Sequence, residues 1–220
     1  MKKLLRKFFF LFYKPYAIFL ISKDNTYRYK NFLLQIPKGV FHPGLFFSTH
    51  FLIREMETIE LSGKKFLELG CGSGLISLVA ASKNANVTSS DINPLAVETA
   101  STNAVANNLK IRTIVSDLFQ NLPNETFDYI IINPPFFKRN PKTDADKAWF
   151  AGEELEYFQK LFQQLTNHFT PTTVCLMVLS EDCDVQGIEK IAVTNNLKLL
   201  LRKKETIWFE ENFIYEIHTA

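Results

Sequence analysis

The sequence predicts an α/β protein: a mostly parallel, seven-stranded sheet with helices on both faces and an antiparallel hairpin at its C-terminal end. Three observations predict it. From Lys64 onward, short apolar runs alternate with longer stretches of helical periodicity, which is the pattern of successive βαβ units. A glycine-rich turn, ELGCGSG (Glu68–Gly74), joins the first of those runs to its helix. Two β-rich stretches then close the chain with no helix-length segment between them, so they must pair antiparallel.

The elements follow in order, with residues 1–45 as a leading region and 46–220 as the main domain. MKKLLRKFFFLFYKPYAIFLIS reads as a basic, aromatic helix. TYRYKNFLLQIPKGV (Thr26–Val40) reads as a strand or hairpin ending in Pro-Lys-Gly. HPGLFFSTHFLIREMETIE starts on Pro-Gly punctuation and sets Phe51, Leu52, Met56 and Ile59 at helical spacing, with Ser48 or Thr49 as N-cap. The alternation proper runs through KKFLELG (strand), GLISLVAASKN (helix), ANVTSSDI (strand) and NPLAVETASTNAVANNL (helix). IRTIVSD and FDYIIINPP are strands; after a loop come the helix GEELEYFQKLFQQLTNHF and the strand TVCLMVLS. NLKLLLRKKETIWF and ENFIYEIHT form the closing hairpin, joined at Glu-Glu-Asn.

With 46% hydrophobic residues and 21 Phe, the chain has ample material for a packed core. The net charge of +2 conceals an asymmetry: residues 1–30 carry +7 and the remainder −5. A basic head on a mildly acidic body implies an electrostatic partner for the head. Lys14-Pro15 interrupts its apolar run, and neither piece reaches the ~20 residues that span a bilayer. The head is therefore expected to dock on its own domain or shield the cleft; the alternative is peripheral contact of residues 1–24 with a membrane surface or a polyanion. Cys71, Cys175 and Cys183 lie far apart, with no CxxC and no zinc-spaced His/Cys cluster. They read as reduced thiols in a cytoplasmic protein without a structural metal.

In an open parallel sheet, ligands bind outside the C-terminal strand ends, and every informative motif falls there. Glycines at 70, 72 and 74 let the backbone turn tightly and a ligand approach main-chain N–H groups. Leu75 stands where a G-x-G-x-x-G fingerprint needs its third glycine, and no Gly-Lys-Ser/Thr follows. A dehydrogenase and a P-loop nucleotidase are thereby disfavoured. The next strand ends at Asp91 in SSDIN, where a carboxylate can accept both ribose hydroxyls of an adenosine. The third ends at Asp117 in SDLF, where side chain or adjoining main chain can meet an adenine amino group and Phe119 can flank the ring. Singly, each Asp serves as well as a helix N-cap or a solvated loop residue. Together they argue for one bound molecule.

ELGCGSG, SSDIN, SDLF and IINPPF together resemble a class I S-adenosylmethionine-dependent methyltransferase. The likeness is to the small-methyltransferase-domain group, which includes release-factor glutamine and ribosomal-RNA guanine-N2 and adenine-N6 methyltransferases, and it covers roughly Val40 to Ser180. The resemblance implies a Rossmann-like sheet, S-adenosyl-L-methionine as cofactor and no metal. It implies that Gly70, Gly72 and Gly74 approach the methionine part, that Glu68 orients the loop, that Asp91 binds ribose and Asp117 adenine. Cys71, Ile92, Leu118 and Asn133 are further expected cofactor contacts. HPGLFFST resembles the segment that closes over the cofactor's carboxylate, with Thr49 as the candidate residue.

The Asn133-Pro134-Pro135-Phe136 turn is the candidate catalytic element. A planar amide or exocyclic amine is a poor nucleophile, and two oxygens that accept both of its N–H bonds hold it in place while positive charge develops on nitrogen. The Asn133 side-chain oxygen and the Pro134 carbonyl suit that role, prolines fix their direction, and Phe136 stacks on the flat acceptor. No strong base is needed, and none of His42, His50, His168 and His218 belongs to the motif, although His42 and His50 lie near the cleft. Glutamine-directed members of the group usually read Asn-Pro-Pro-Tyr; Phe136 here leans the expectation toward a nucleic-acid base, RNA before protein glutamine. Lys138, Arg139 and Lys142 beside the turn, and Arg202-Lys203-Lys204, are candidate phosphate contacts. Trp149 and Phe150 are expected at the substrate mouth. The alternative is a non-catalytic or membrane-peripheral cofactor-binding module.

Overall fold

The structure, a computed structural model, describes residues 20, 22–45, 47–143, 145–207 and 210–220. Residues 1–19 and 21 of the expected basic, aromatic helix lie outside them. Strands β1 (Asn25–Tyr29) and β2 (Phe32–Ile36) form a separate antiparallel hairpin with Tyr29 opposite Phe32. Helix α1 (Phe47–Met56) leads to β3 (Lys65–Leu69), α2 (Leu75–Ser82), β4 (Asn86–Asp91), α3 (Pro94–Ala106), β5 (Arg112–Val115) and β6 (Tyr129–Ile132). A 3-10 turn (Ala145–Ala148) and α4 (Glu156–Leu165) precede β7 (Val174–Ser180), α5 (Val185–Thr194), β8 (Leu197–Ile207) and β9 (Glu210–Thr219).

The main sheet has seven strands in the order β5-β4-β3-β6-β7-β9-β8. Its first five are parallel, and β9 runs antiparallel to both β7 and β8. Because side chains alternate across a strand, each central strand feeds two cores. Leu67, Leu69, Ile130 and Ile132 face Phe158, Leu161, Phe162 and Leu165 of α4. Phe66 and Ile131 face Phe51, Leu52 and Met56 of α1 together with α2 and the hairpin. Apolar residues at i, i+3, i+4 and i+7 explain why α4 buries that one stripe.

Two expectations change, and one helix is additional. Helix α1 starts at Phe47, so Ser48 and Thr49 sit inside its first turn and are not its cap. The β8–β9 ladder continues to Ile207 opposite Glu210, so Glu210, Glu211 and Asn212 belong to β9, not to the connection. Helix α5 was absent from the sequence reading; only Ile188 and Ala192 of it are buried, too short a stripe to stand out, and Asp184 caps it by accepting from Gly187 N at 3.0 Å.

The hairpin is fastened to α3 by two asparagines one helical turn apart. Asn103 accepts from Gln35 N at 2.8 Å and donates to Gln35 O at 3.0 Å. Asn107 does the same with Leu33 N (3.1 Å) and Leu33 O (2.9 Å). Side-chain amides thus supply the pairing that β2 would otherwise take from another strand. Asn103, fully buried, also donates to Ser73 O at 2.9 Å, which ties the hairpin to the glycine turn.

Candidate cofactor and acceptor site

The glycine turn leaves β3 with Gly70 N and Cys71 N both donating to Ser90 O (2.8 and 2.9 Å), which pins it to the end of β4. All three glycines have left-handed φ, from 51° to 84°. Their surroundings differ. A β-carbon on Gly74 would lie 2.9 Å from Ala100 Cβ, so this glycine lets α2 pack on α3. Gly70 and Gly72 line a cavity of about 480 Å³. Beneath the turn, buried Glu68 accepts from Ser77 N at 2.8 Å and from Ser77 Oγ, whose hydroxyl meets Ser89 Oγ. Burial pushes the Glu68 carboxyl up to about 8, against the Ser77 hydrogen bonds that pull it down.

Asp91 ends β4 in the same cavity. Its Oδ2 accepts from Gly72 N and its Oδ1 from Asn93 N, each at 2.9 Å. Burial raises this carboxyl, while the backbone donors oppose the rise. Each oxygen retains a second lone pair, so the carboxylate can shape the loop and still accept hydroxyls. Asn93 caps α3 by accepting from Leu95 N at 3.0 Å, with Pro94 at the first helical position.

The third strand end carries Asp117 and Leu118, the latter at φ 54°. Both line the cavity, and Asp117 is ion-paired with Lys160 of α4. One turn further along α4, Gln164 Oε1 accepts from Phe119 N at 3.3 Å. Tyr157 completes this wall; burial, reinforced by the Asp91 and Asp117 carboxylates, raises its phenol. Phe119 does not flank the cavity. It is buried and stacked on His168 at 4.3 Å between ring centroids, because αL geometry at Leu118 turns the next side chain into the core.

Asn133, Pro134, Pro135 and Phe136 line the cavity from the end of β6. A β-carbon placed on Gly70 would sit 4.0 Å from Asn133 O, so the turn and the glycine loop are near neighbours. Asn133 Nδ2 donates to Thr49 Oγ1 at 3.2 Å. The chain then folds back over the mouth: Phe137 N donates to Trp149 O at 2.9 Å and Ala151 N to Phe137 O at 2.8 Å. Trp149 meets Phe41 at 5.4 Å between centroids, joining this flap to the segment ahead of α1.

Of the residues expected at the cofactor, Gly70, Gly72, Asp91, Ile92, Asp117, Leu118 and Asn133 line one cavity. Glu68, Cys71 and Gly74 lie behind its wall, and Thr49 is turned onto Asn133 while its neighbour Ser48 lines the space. His42 and His50 are engaged elsewhere, His42 Nδ1 accepting from Gly44 N at 3.1 Å and His50 pairing with the Tyr27 hydroxyl at 2.8 Å. Arg202 and Lys203 pair with buried Glu55 at 2.8 and 3.0 Å and Lys204 with Glu211 at 2.9 Å, and none of the three lines the cavity. Sequence reasoning missed Tyr157 and Lys160; they share the face of an amphipathic helix that borders its apolar stripe, and nothing local marks which polar residues there meet a ligand.

The methyltransferase small domain model matches residues 32–191. The chain belongs to the small methyltransferase domain family. Its relatives include a putative protein N5-glutamine methyltransferase of Methanocaldococcus jannaschii, 44% identical over 116 residues, which cover 50% of this chain and 58% of that one. A tRNA1(Val) (adenine(37)-N6)-methyltransferase of a Flavobacteriaceae bacterium is 34% identical over 182 residues, 81% of this chain and 76% of the relative. The T. thermophilus 16S rRNA N2 methyltransferase, solved with AdoMet and guanosine, shares the fold with a TM-score of 0.64 and 21% identity, over 88% of this chain and 50% of that one. The chain thus spans under two thirds of the length of several of its relatives.

The residues of this small methyltransferase domain fit S-adenosyl-L-methionine, the cofactor that the sequence motifs imply. Glycines without side chains border the cavity beside a carboxylate. The Ser48 hydroxyl, 2% exposed, is one of two buried polar side-chain atoms among the described residues with no partner, and its residue lines the cavity. A buried hydroxyl without a partner is costly, and a polar ligand would satisfy it. Among the described residues no group of His, Cys, Asp and Glu could hold a metal, and no helix is long and apolar enough to cross a membrane.

Proposed function

We propose that this protein transfers a methyl group to the nitrogen of a flat NH2 group, an exocyclic amine of an RNA base in the first instance. The observation that carries this reading is the shared cavity: the Asn133-Pro134-Pro135-Phe136 turn borders the same space as Gly70, Gly72 and Asp91. S-adenosylmethionine, when bound, supplies a methyl group made electrophilic by its sulfonium. The Asp91 carboxylate receives the ribose hydroxyls, the Asp117 strand end faces adenine, and the Ser48 hydroxyl remains for the methionine end. Asn133 Oδ1 and Pro134 O accept the two N–H bonds of the acceptor and stabilise the charge that gathers on nitrogen. Phe136, Phe137 and Trp149 offer rings on which a base can stack. The proton leaves after transfer, when the nitrogen has become acidic, so no His is required.

RNA is favoured because the tRNA adenine-N6 relative matches over the larger share of this chain, and because Lys138 and Arg139 flank the turn. Lys138 is held to Asp184 at 3.0 Å and Arg139 lies over the Phe150 ring at 5.5 Å. Protein glutamine is the second reading, favoured by the 44% identity to a putative N5-glutamine methyltransferase. Incubation with tritiated cofactor and an extract from cells lacking the protein decides between them. Label in nuclease-sensitive material supports a base, and label in protein that yields N5-methylglutamine supports the second. The reading of residues 1–24 as a membrane-surface contact is tested by liposome co-sedimentation of chains with and without them.

A further inference from the structure

We infer that Lys160 is a positioning residue for cofactor binding that acts through Asp117: its ammonium keeps the Asp117 carboxylate usable once adenine covers it. The inference rests on the reading of the cavity as an S-adenosylmethionine site with adenine at the Asp117 strand end. Asp117 and Lys160 are ion-paired, and both line the cavity. Neither group has a second hydrogen-bonding sense, since a carboxylate only accepts and an ammonium only donates. The pair therefore holds in one way, whatever else enters the space.

Charge sets the need for such a partner. Among the described residues, three carboxylates border the cavity, Asp91, Asp117 and Glu156, and two ammonium groups, Lys147 and Lys160. Lys147 rides on the 3-10 turn of the flap, so Lys160 is the cation at the adenosine end. The Asp117 and Lys160 side chains are 40% and 35% exposed, and an ion pair so open to water adds little to stability. Adenine bound at this strand end displaces that water. A carboxylate taken out of water needs a countercharge, because one N–H bond from an adenine amino group does not replace its hydration. The ion pair is thus idle in the free protein and becomes effective under the ligand.

Lys160 is held in place by its own helix. Phe158, Leu161, Phe162 and Leu165 fix α4 against the sheet, each 1% exposed or less. One turn beyond Lys160, Gln164 Oε1 accepts from Phe119 N at 3.3 Å, so α4 grips the Asp117 strand end twice. The ammonium is delivered by a rigid element, as a positioning group must be.

The test reads S-adenosylhomocysteine affinity by calorimetry and the melting temperature of the free protein. Lys160→Met keeps the reach of the side chain and removes its charge. Affinity should fall about five- to tenfold, the range for a carboxylate left without its partner in a half-open site. The melting temperature of the free protein should stay within about 4 °C, the scale of an exposed ion pair. Lys160→Arg should recover most of the affinity. On an Asp117→Asn background, which keeps an acceptor oxygen and removes the charge, Lys160→Met should cost less than about twofold. A loss that persists undiminished on that background would overturn the inference by assigning Lys160 to the cofactor directly. A change below about twofold in Lys160→Met alone would overturn it too, and a larger fall in melting temperature would assign the pair to the fold instead. If the native protein binds no S-adenosylhomocysteine, the reading of the cavity fails and the inference falls with it.

Discussion

The glycine turn and the Asn-Pro-Pro-Phe turn border the same cavity at neighbouring strand ends, yet they are rigid for opposite reasons. Gly70 and Gly72 are bare backbone, curved into left-handed conformations and held by outside groups: Ser90 O, the Asp91 carboxylate and, through Ser73, the Asn103 amide. The Asn133 turn is stiff within itself, since two prolines have almost no freedom in φ, and is tied to α1 through the hydrogen bond from Asn133 Nδ2 to Thr49 Oγ1. The first design suits a ligand that must come close to the main chain. The second suits one that must be met by oxygens already aimed. The prediction is that damage to the two walls separates into loss of binding and loss of rate.

The sharpest test is Asn133→Ala. Transfer should fall by at least about 100-fold, the scale of removing a preorganised polar group from a charge-developing centre, while S-adenosylhomocysteine affinity by calorimetry stays within about twofold. A parallel loss of affinity would erase the distinction between the walls. Asp91→Ala should do the reverse, weakening affinity by about 10- to 100-fold for lost charged hydrogen bonds; unchanged affinity would contradict a ribose role. Gly74→Ala sharpens the comparison within the glycine turn. Its new methyl group would stand 2.9 Å from Ala100 Cβ at φ 84°, so unfolding in urea should show a loss of about 2 kcal/mol. Gly70→Ala meets nothing nearer than 4.0 Å, so at φ 77° it should lose only the backbone part, about 1 kcal/mol, and should weaken cofactor binding besides.

The smallest effect concerns pH. Glu68 is raised to about 8 in the folded protein from an ordinary value of 4.5, so between those values the native state holds a proton that the unfolded chain releases. Stability then falls as pH rises through that window. The melting temperature should drop between about pH 5 and about pH 8, and Glu68→Gln should remove at least about 3 °C of that drop. An identical drop in both proteins would mean that Glu68 is ionised beneath the loop.

Much of the site could be read from local patterns. Gly70, Gly72, Asp91, Asp117 and Asn133 each stand at a strand end, and an apolar run followed by a turn shows where a strand ends before any tertiary contact is known. Asn103, Asn107, Tyr157 and Lys160 escaped notice because they act across helix faces, where a polar residue in contact with another segment has the same spacing as one in water. Arg202, Lys203 and Phe119 mislead for a related reason. Sequence shows a charge or a ring, but not the Glu55 or His168 that occupies it.

By itself, the sequence determined the alternation of strands and helices, the closing hairpin and the order in which the motifs reach one edge of the sheet. These follow from periodicity and turn chemistry, which act within a few residues. Only the tertiary structure decided that Gly74 serves packing and not the cavity, that Ser48 and not Thr49 borders it, and that the Asn133 carboxamide meets a hydroxyl from α1. Those outcomes depend on which surfaces meet across the fold, and a contact between distant segments leaves no trace in the spacing of either.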